Sequence, residues 1–307
     1  MSAVGELLDG GVRLAIPLAM ASAGELVSER AGVLNLSVEG MMLTGAFAGA
    51  VGAHSSGSAV VGVLCALVAG LLVAVIQAVS SVTLRADQIV TGVAANALAL
   101  GATTYGSRLY FTGGREVPGF DRLEIPVLHE IPLLGRALFD QTLLGYAGIG
   151  LAVLLAVLCS HRTGWGLALS AIGEDAVTAD RSGLPVNLFR YATVLLTGVM
   201  SGLAGAHLAL ADVHAFTDNL TAGAGYLAVV AVIAGKWRAW PTLLACLFFG
   251  LAQALQFAAP ALGVHLPTAV LVMSPYLLAV LAVSGLVGAS RSPAALTLPF
   301  RREARAR

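Results

Sequence analysis

Long apolar runs, separated by short charged or turn-rich breaks, follow one another along almost the whole chain. A membrane core about 30 Å thick requires roughly 20 apolar residues for each helical crossing. The runs predict about nine crossings, within a range of eight to ten, because polar residues interrupt the first two runs and the seventh is short enough to be re-entrant or broken. The predicted spans are 11–27, 33–53, 58–83, 88–110, 143–160, 191–211, 222–235, 239–260 and 267–289.

The spans are expected to be helices, since the runs are apolar on every face, whereas strands of a membrane barrel alternate polar and apolar residues. The predicted fold class is therefore all-α, a polytopic transmembrane helical bundle. Composition agrees with a lipid environment, with 58% hydrophobic residues, 11% charged residues and a mean hydropathy of +0.87. The 36 glycines indicate closely packed membrane helices.

The distribution of Lys and Arg between the loops predicts the orientation in the membrane. One alternating set of loops carries eleven positive charges, namely Arg85, Arg162, Arg181, Arg190, Lys236, Arg238, Arg291, Arg301, Arg302, Arg305 and Arg307. The 111–142 loop mixes its arginines with acidic residues. We expect the 161–190 loop inside and the 111–142 loop outside, while the side of the N-terminus stays open. The expected division is a transmembrane domain over 1–290 and a basic cytoplasmic tail over 291–307.

Motifs for enzyme chemistry are missing from the sequence. There is no GxxxxGK[ST] phosphate loop, no HExxH and no GxSxG, and the six histidines are scattered. The three cysteines, Cys65, Cys159 and Cys246, lie in apolar runs without metal-ligand spacing. We expect no catalytic residue, no metal site, no cofactor bound by this chain and no nucleic-acid partner.

Polar residues within predicted spans are candidates for a solute path, because polar groups in lipid are costly. Asn35 and Glu39 are four residues apart and are predicted to share one helical face. Glu39 could line the path, or it could cap or cross-link neighbouring helices. Further path candidates are Gln88, Thr91, Asn96, Thr103, Thr104, Gln253 and Gln256.

The inner loop carries start and stop signals for a short helix. Glu174 and Asp175 are predicted to open it, because acidic residues suit a helix N-terminus. Gly183 is a natural helix stop, and Pro185 follows it. A short helix across the inner face is the expected result.

Three segments resemble one known family. Ser28–Met42 (SERAGVLNLSVEGMM) looks like its SERAGVxNxGxEGMM motif, although Ser37 replaces a glycine. Gly173–Gly183 resembles its GENPxAARxAG coupling segment, although Ala176 replaces a proline and Asp180 a basic residue. Gly223–Trp237 is similar to its GxGFIALAAVIFGKW stretch. The family comprises permeases of bacterial ABC importers for simple sugars, nucleosides and branched-chain amino acids, and the resemblance is greatest to the nucleoside branch.

The resemblance implies an importer in which this chain forms half of the solute path. A second, homologous permease would complete the path, so that a heterodimer is expected. A cytoplasmic ABC ATPase would use ATP and Mg²⁺, and an extracytoplasmic binding protein or lipoprotein would deliver the solute. The implied location is the bacterial cytoplasmic (inner) membrane, and the implied substrate is a nucleoside or a simple sugar. The residues implied to contact the ATPase are Gly173, Glu174, Asp175, Ala176, Ala179 and Gly183.

A secondary transporter or a channel for a small polar solute is the alternative. A secondary transporter usually places charged residues in mid-span and relates its halves by symmetry. Here only Glu39 clearly qualifies, and the internal repeat is faint.

Overall fold

The computed structural model describes residues 3–111, 117–126, 131, 135–160, 162–259, 267–286 and 291–302. The helices are α1 (Ala3–Arg30), α2 (Val38–Ser56), α3 (Ala59–Ala78), α4 (Gln88–Tyr110), α5 (Gly135–Phe139), α6 (Leu143–Leu158), α7 (Gly164–Glu174), α8 (Ala176–Arg181), α9 (Val186–His207), α10 (Ala224–Ala234), α11 (Ala239–Ala258) and α12 (Thr268–Leu281). Short π-helical turns extend α3, α9 and α12 at Val79–Thr83, Leu208–Asp212 and Ala282–Leu286.

The predicted helical bundle is confirmed, and each predicted span contains a helix. In the described residues, four helices are long and apolar enough to cross a membrane, by length and composition: Val4–Arg30, Ala59–Thr83, Val186–Asp212 and Ala239–Ala258. Shorter apolar helices are Leu143–Leu158, Ala224–Ala234 and Ala269–Ser284. Within the described ranges, the one addition to the helices is a small antiparallel two-stranded sheet in the 111–142 loop, where β1 (Arg122–Glu124) pairs with β2 (Asp140–Thr142).

Local capping explains where several helices begin. The Asp87 carboxylate accepts hydrogen bonds from the N–H groups of Ile89 and Val90, at 2.8 and 3.0 Å. The Thr142 hydroxyl accepts one from the Gly145 N–H at 3.1 Å. Such caps satisfy N–H groups that have no partner within the helix, so α4 and α6 start at the residues after them.

Glycines bring α3 and α9 close together. A methyl group at Gly70 would lie 2.3 Å from the Gly198 carbonyl oxygen and 2.8 Å from the Gly202 Cα. Gly45 of α2 also packs closely against α9, since a methyl group at Gly45 would lie 2.7 Å from the Gly202 Cα. These contacts fit the expected use of small residues in membrane helix packing.

The central helix α1 connects the two ends of the bundle. Near its start, Asp9 pairs with Arg122 of the 111–142 loop at 3.6 Å. At its end, the Arg30 guanidinium donates to the Cys159 carbonyl and, at 2.5 Å, to the Ser170 hydroxyl. The start of α1 thus lies at the end of the bundle that bears the 111–142 loop, opposite the 161–190 loop.

The chain is irregular between α1 and α2, over residues 31–37. The prediction that Asn35 and Glu39 share a helical face is therefore wrong, because Asn35 precedes the start of α2 at Val38. A second irregular segment, 213–223, separates the π turn after α9 from α10. With 11 residues, α10 is roughly 16 Å long, about half of a 30 Å membrane core.

Candidate functional site

Glu39 of α2 holds the N-terminus of α10. Its Oε1 accepts hydrogen bonds from the Thr221 hydroxyl at 2.5 Å and the Gly223 N–H at 2.9 Å. Its Oε2 accepts one from the Gly225 N–H at 2.7 Å. A carboxylate suits the free N–H groups and the positive end of a helix. Glu39 therefore cross-links α2 and α10, one of the two roles considered from the sequence; its place in the solute path stays a prediction.

Asn96 of α4 joins three elements. Its side-chain oxygen accepts from the Gly40 N–H at 2.7 Å, and its amide nitrogen donates to the Leu36 carbonyl at 2.8 Å and to the Tyr226 hydroxyl at 2.9 Å. The irregular 31–37 segment, α4 and the first turn of α10 are thereby held as one polar cluster.

Two further path candidates also position the 31–37 segment. The Gln88 side-chain oxygen accepts from the Leu34 N–H at 2.8 Å. The Asn35 side-chain oxygen accepts from the Ser37 N–H at 3.1 Å and the Ser37 hydroxyl at 2.6 Å, and the Asn35 N–H donates to Glu25 at 2.8 Å. These polar side chains stabilise a backbone segment that is not helical.

The remaining path candidates bond to their own helices or lie elsewhere. The Thr91 hydroxyl donates to the Asp87 carbonyl at 2.9 Å, and the Thr103 hydroxyl donates to the Ala99 carbonyl at 2.8 Å. Gln253 is half-buried and lines a separate cavity between α1, α11 and α12. The candidates thus do not form one site within the chain.

An exposed polar face surrounds the start of α10, and the sequence analysis did not find it. Tyr226 is 42% exposed, and the equally exposed Tyr276 donates from its hydroxyl to the Ala222 carbonyl at 2.5 Å. Asp218, also exposed, accepts a hydrogen bond from Ser107 of α4. Residues 213–226 and Tyr276 together make up this polar face. The sequence signal that could have indicated this face is the apolar run 222–235, which is short for a membrane span.

The depth of this polar face in the membrane determines what must cover it. Helix α10 is about half as long as a membrane core is thick. With Lys236 and Arg238 at the inner surface, as the loop charges predict, residues 213–223 are expected to lie within the membrane. Irregular backbone at that depth is stable only where protein or an aqueous cavity covers it. We therefore expect the polar face to be covered by another subunit or by a water-filled cavity.

Two buried carboxyl groups lie one turn apart near the end of α1. Glu25 and Glu29 are both fully buried. Glu25 accepts the hydrogen bond from the Asn35 N–H at 2.8 Å, and Glu29 accepts one from the Trp237 indole N–H. They fasten the 31–37 segment and the end of α10 to α1. Glu29 belongs to the Ser28–Met42 motif, but the sequence analysis gave neither residue a role.

The 161–190 region folds as two helices, α7 and α8. The Asp175 carboxylate caps α8 by accepting from the Val177 and Thr178 N–H groups, both at 3.0 Å. Hydrogen bonds from Thr178 hold the pKa of Asp175 below its usual range. Gly183 has a left-handed φ of +94° just past the helix. The predicted start at Asp175 and stop at Gly183 are confirmed, but Glu174 ends α7 instead of opening α8.

The short helix α8 has an inward and an outward side. Ala176 and Ala179 are 7% and 4% exposed and pack in a cluster with Phe300. Their side chains therefore face the body of the helical bundle. The outward-facing residues are Glu174, Asp175, Thr178, Arg181, Ser182 and Gly183.

The first part of the C-terminal tail is packed against α7 and α8. The Ala295 N–H donates to the Gly173 carbonyl at 2.8 Å, and the Arg302 Nε lies 3.1 Å from the Asp180 Oδ2. Phe300 is 7% exposed. We call residues 291–302 the C-terminal strap. The sequence predicted only a basic tail, because these contacts join residues more than a hundred positions apart.

These features describe a polytopic membrane protein. The half-length helix α10 begins at the polar face, and the short capped helix α8 lies at the end of the bundle that bears the 161–190 loop. In the described residues, no group of three His, Cys, Asp or Glu side chains could hold a metal ion.

The comparison with known proteins names the family. A family model described as "Branched-chain amino acid transport system / permease component" matches residues 7–289, and the chain belongs to this family. The chain is 35% identical to the guanosine ABC transporter permease NupQ of Bacillus subtilis over 93% of both chains. It is 33% identical to the nucleoside ABC transporter permease NupC of Lactococcus lactis subsp. cremoris over 91% of both. It is 37% identical to TsgC13 of Haloferax volcanii, an ABC transporter permease provisionally named for glucose, over 87% of this chain and 81% of that one.

Proposed function

We propose that this chain forms half of the translocation path of an ATP-driven importer for nucleosides. The observation that carries the proposal is the polar face of residues 213–226 and Tyr276, which we call the translocation face. In this face, irregular backbone and the exposed Tyr226 lie beside the half-length helix α10. That face needs a protein or aqueous cover. A second permease subunit supplies both, since a path between two such faces is lined by protein and filled with water.

Nucleosides are the proposed substrate class. Two relatives that align over more than nine-tenths of their length carry names for guanosine and nucleoside transport. The resemblance of Ser28–Met42 to the nucleoside branch supports the same class. A simple sugar is the second candidate, supported by the provisional glucose name of the archaeal relative.

The proposed partners follow from the two ends of the bundle. A cytoplasmic ABC ATPase contacts Glu174 at the end of α7 and the outward side of α8, at Thr178 and Arg181, and it uses ATP and Mg²⁺ itself. An extracytoplasmic binding protein or lipoprotein delivers the nucleoside to the opposite end. The second permease is a related but different chain, and the complex lies in the bacterial cytoplasmic membrane. This chain hydrolyses no ATP.

Helix α9 is the proposed mechanical link between the ATPase and the path. It begins at Val186, directly after α8, and leads through the π turn to the translocation face. Near its start, Arg190 donates to the Ala31 carbonyl at 3.2 Å and to the Leu298 carbonyl at 2.9 Å. A shift of α8 upon ATP binding thus moves α9 together with the end of α1, a rigid-body change that can switch the side on which the path opens.

Transport by the reconstituted complex tests this function. We expect uptake of labelled guanosine into proteoliposomes to require the ATPase, its bound ATP and the binding protein. A catalytically inactive ATPase variant, with all subunits present, is the matched control and is expected to stop uptake. If uptake instead continued with the inactive ATPase and followed an imposed ion gradient, the chain would be a secondary transporter. Ribose uptake without guanosine uptake would show that the substrate is a simple sugar and not a nucleoside.

A further inference from the structure

A cavity of about 280 Å³ lies between α1, α11, α12 and residues 220–224. Asp212 is one of its lining residues and forms an ion pair with Arg13 at 2.9 Å. Arg13 lies one turn after Asp9, which pairs with the 111–142 loop. The cavity is therefore in the half of the bundle that we predict to be outer, and we call it the outer cavity.

Two amide side chains line the outer cavity. Gln253 and Gln256 are three residues apart and share a face of α11. Both are half-buried, and no hydrogen bond within the described part of the chain engages either amide. Polar side chains within membrane helices are costly and mark solute paths. Each amide offers an acceptor and two donors, so the pair can meet a ligand with both kinds of group along one edge.

Tyr276, Thr221 and the ion-paired Asp212 complete the polar part of the lining. The Tyr276 hydroxyl is held by the Ala222 carbonyl, which fixes the phenol ring at the cavity wall. The rest of the lining is mainly aliphatic and includes Leu18 and Val272. An apolar wall with one aromatic ring and a few amide groups suits a flat, polar-edged ligand, since bases stack on aromatic rings and glutamine amides pair with base edges.

The volume of the outer cavity also limits the size of the ligand. Sites for small molecules usually measure about 300–1,000 Å³, so a cavity of about 280 Å³ suits one compact solute. Ala222 and Tyr276 belong both to its lining and to the translocation face. A solute leaving the cavity therefore enters the proposed path directly.

We propose that the outer cavity is a nucleoside-binding subsite of this chain, in which Gln253 and Gln256 hydrogen-bond the edge of the nucleobase beside the Tyr276 ring. This inference rests on the proposed function and adds a selective site within the permease itself. The binding protein then delivers the nucleoside to a second site that also distinguishes bases.

Maximal uptake rates at saturating nucleoside test the subsite. We expect Gln253→Leu and Gln256→Leu to lower guanosine and uridine uptake by roughly 10-fold or more, by different factors for the two bases. Phe257→Leu is the matched control, because Phe257 is 71% exposed on the same helix and does not line the cavity. Full uptake with an unchanged guanosine-to-uridine ratio in both glutamine variants would overturn the subsite.

A second experiment decides the case if the leucine variants fail to assemble. In Gln256→Cys, an impermeant thiol reagent should label the new cysteine from outside, and saturating guanosine should protect it. The unmodified chain, with its three native cysteines, gives the background. Labelling that guanosine leaves unaffected would exclude a nucleoside in the cavity. Since wild-type uptake is measured in parallel, this failure is distinguishable from failure of the proposed function, in which the wild type itself takes up no nucleoside.

Discussion

Phe300 and Ala179 meet in one buried cluster, although the first belongs to the C-terminal strap and the second to α8. The contact places the strap beneath the helix that we propose as the ATPase contact. Phe300 is 7% exposed, whereas the nearby Leu298 is 56% exposed. The strap therefore forms part of the surface on which α8 packs.

We expect Phe300→Ala to loosen α8, because it removes the largest side chain that the strap buries there. Amide hydrogen exchange over Ala176–Arg181 should become faster by 10-fold or more, since the loss of a buried aromatic ring costs about 3–5 kcal/mol in a packed core. Leu298→Ala is the control and should leave exchange in α8 unchanged. Equal exchange in both variants and the wild type would mean that α8 is seated without the strap.

Glu39 is expected to stabilise the complex through α10. Glu39→Ala removes the acceptor for Thr221, Gly223 and Gly225 and leaves two buried or half-buried backbone N–H groups without that partner. Hydrogen bonds to a charged group contribute about 1.5–3 kcal/mol each, so the apparent Tm of the purified complex should fall by several degrees. Glu6→Ala, at an exposed position of α1, should change the Tm little.

The two results for Glu39 separate its roles. If Glu39→Gln restores the Tm of the complex but uptake stays lost, the carboxylate acts in the solute path as well as in capping. A wild-type Tm in Glu39→Ala would contradict the cross-link between α2 and α10.

The sequence predicts the spans and the α8 boundaries because their signals are local. An apolar run of membrane length specifies a helix wherever it packs, and Asp175 and Gly183 satisfy cap and turn requirements within a few residues. The Asn35 prediction failed because side chains from another helix, Gln88 and Asn96, decide the backbone of 31–37. No periodicity in the sequence contains that information.

The missed features also depend on distant contacts. Phe300 is buried by residues of α7 and α8 that lie more than a hundred positions away, and the polar face around Tyr226 depends on a half-length α10 held by Glu39. Glu25 and Glu29 could have been noticed as acidic residues at the end of the first apolar run, but no local signal shows that Asn35 and Trp237 are their partners.

Gly70 tests the close packing of α3 on α9. Because a methyl group there would lie 2.3 Å from the Gly198 carbonyl oxygen, Gly70→Val should force the helices apart at a cost of about 1–3 kcal/mol or more. We expect lower yield and aggregation in size-exclusion chromatography. Gly150→Val in α6 is the control, since no atom lies within 4 Å of a methyl group at Gly150. A monodisperse Gly70→Val protein at wild-type yield would contradict this packing.

The orientation can be tested with single cysteines at exposed positions. Asp121 lies in the 111–142 loop and Ser182 lies just after α8. On intact cells, an impermeant thiol reagent should label Asp121→Cys and spare Ser182→Cys, and both should react after lysis. The opposite pattern would invert the topology and place α8 away from any cytoplasmic ATPase.

Gly183 offers the sharpest test that α8 transmits force from the ATPase. Its φ of +94° lies in a region that β-branched residues rarely adopt, while no atom lies within 4 Å of a methyl group there. Gly183→Val should thus strain only the turn that connects α8 to α9. We expect normal insertion and pairing with the second permease, but at least a 10-fold loss of uptake and of nucleoside-stimulated ATPase activity.

The matched control is Gly164→Val at the start of α7, on the same side of the bundle. A methyl group at Gly164 also meets nothing within 4 Å, and its φ lies outside the left-handed region, so uptake should remain near that of the wild type. Co-purification with the ATPase distinguishes two causes of lost uptake. A variant that no longer co-purifies has lost ATPase binding, whereas one that still co-purifies has lost coupling. Wild-type uptake in Gly183→Val would show that the turn after α8 carries no force, and the ATPase contact would then belong to another cytoplasmic segment.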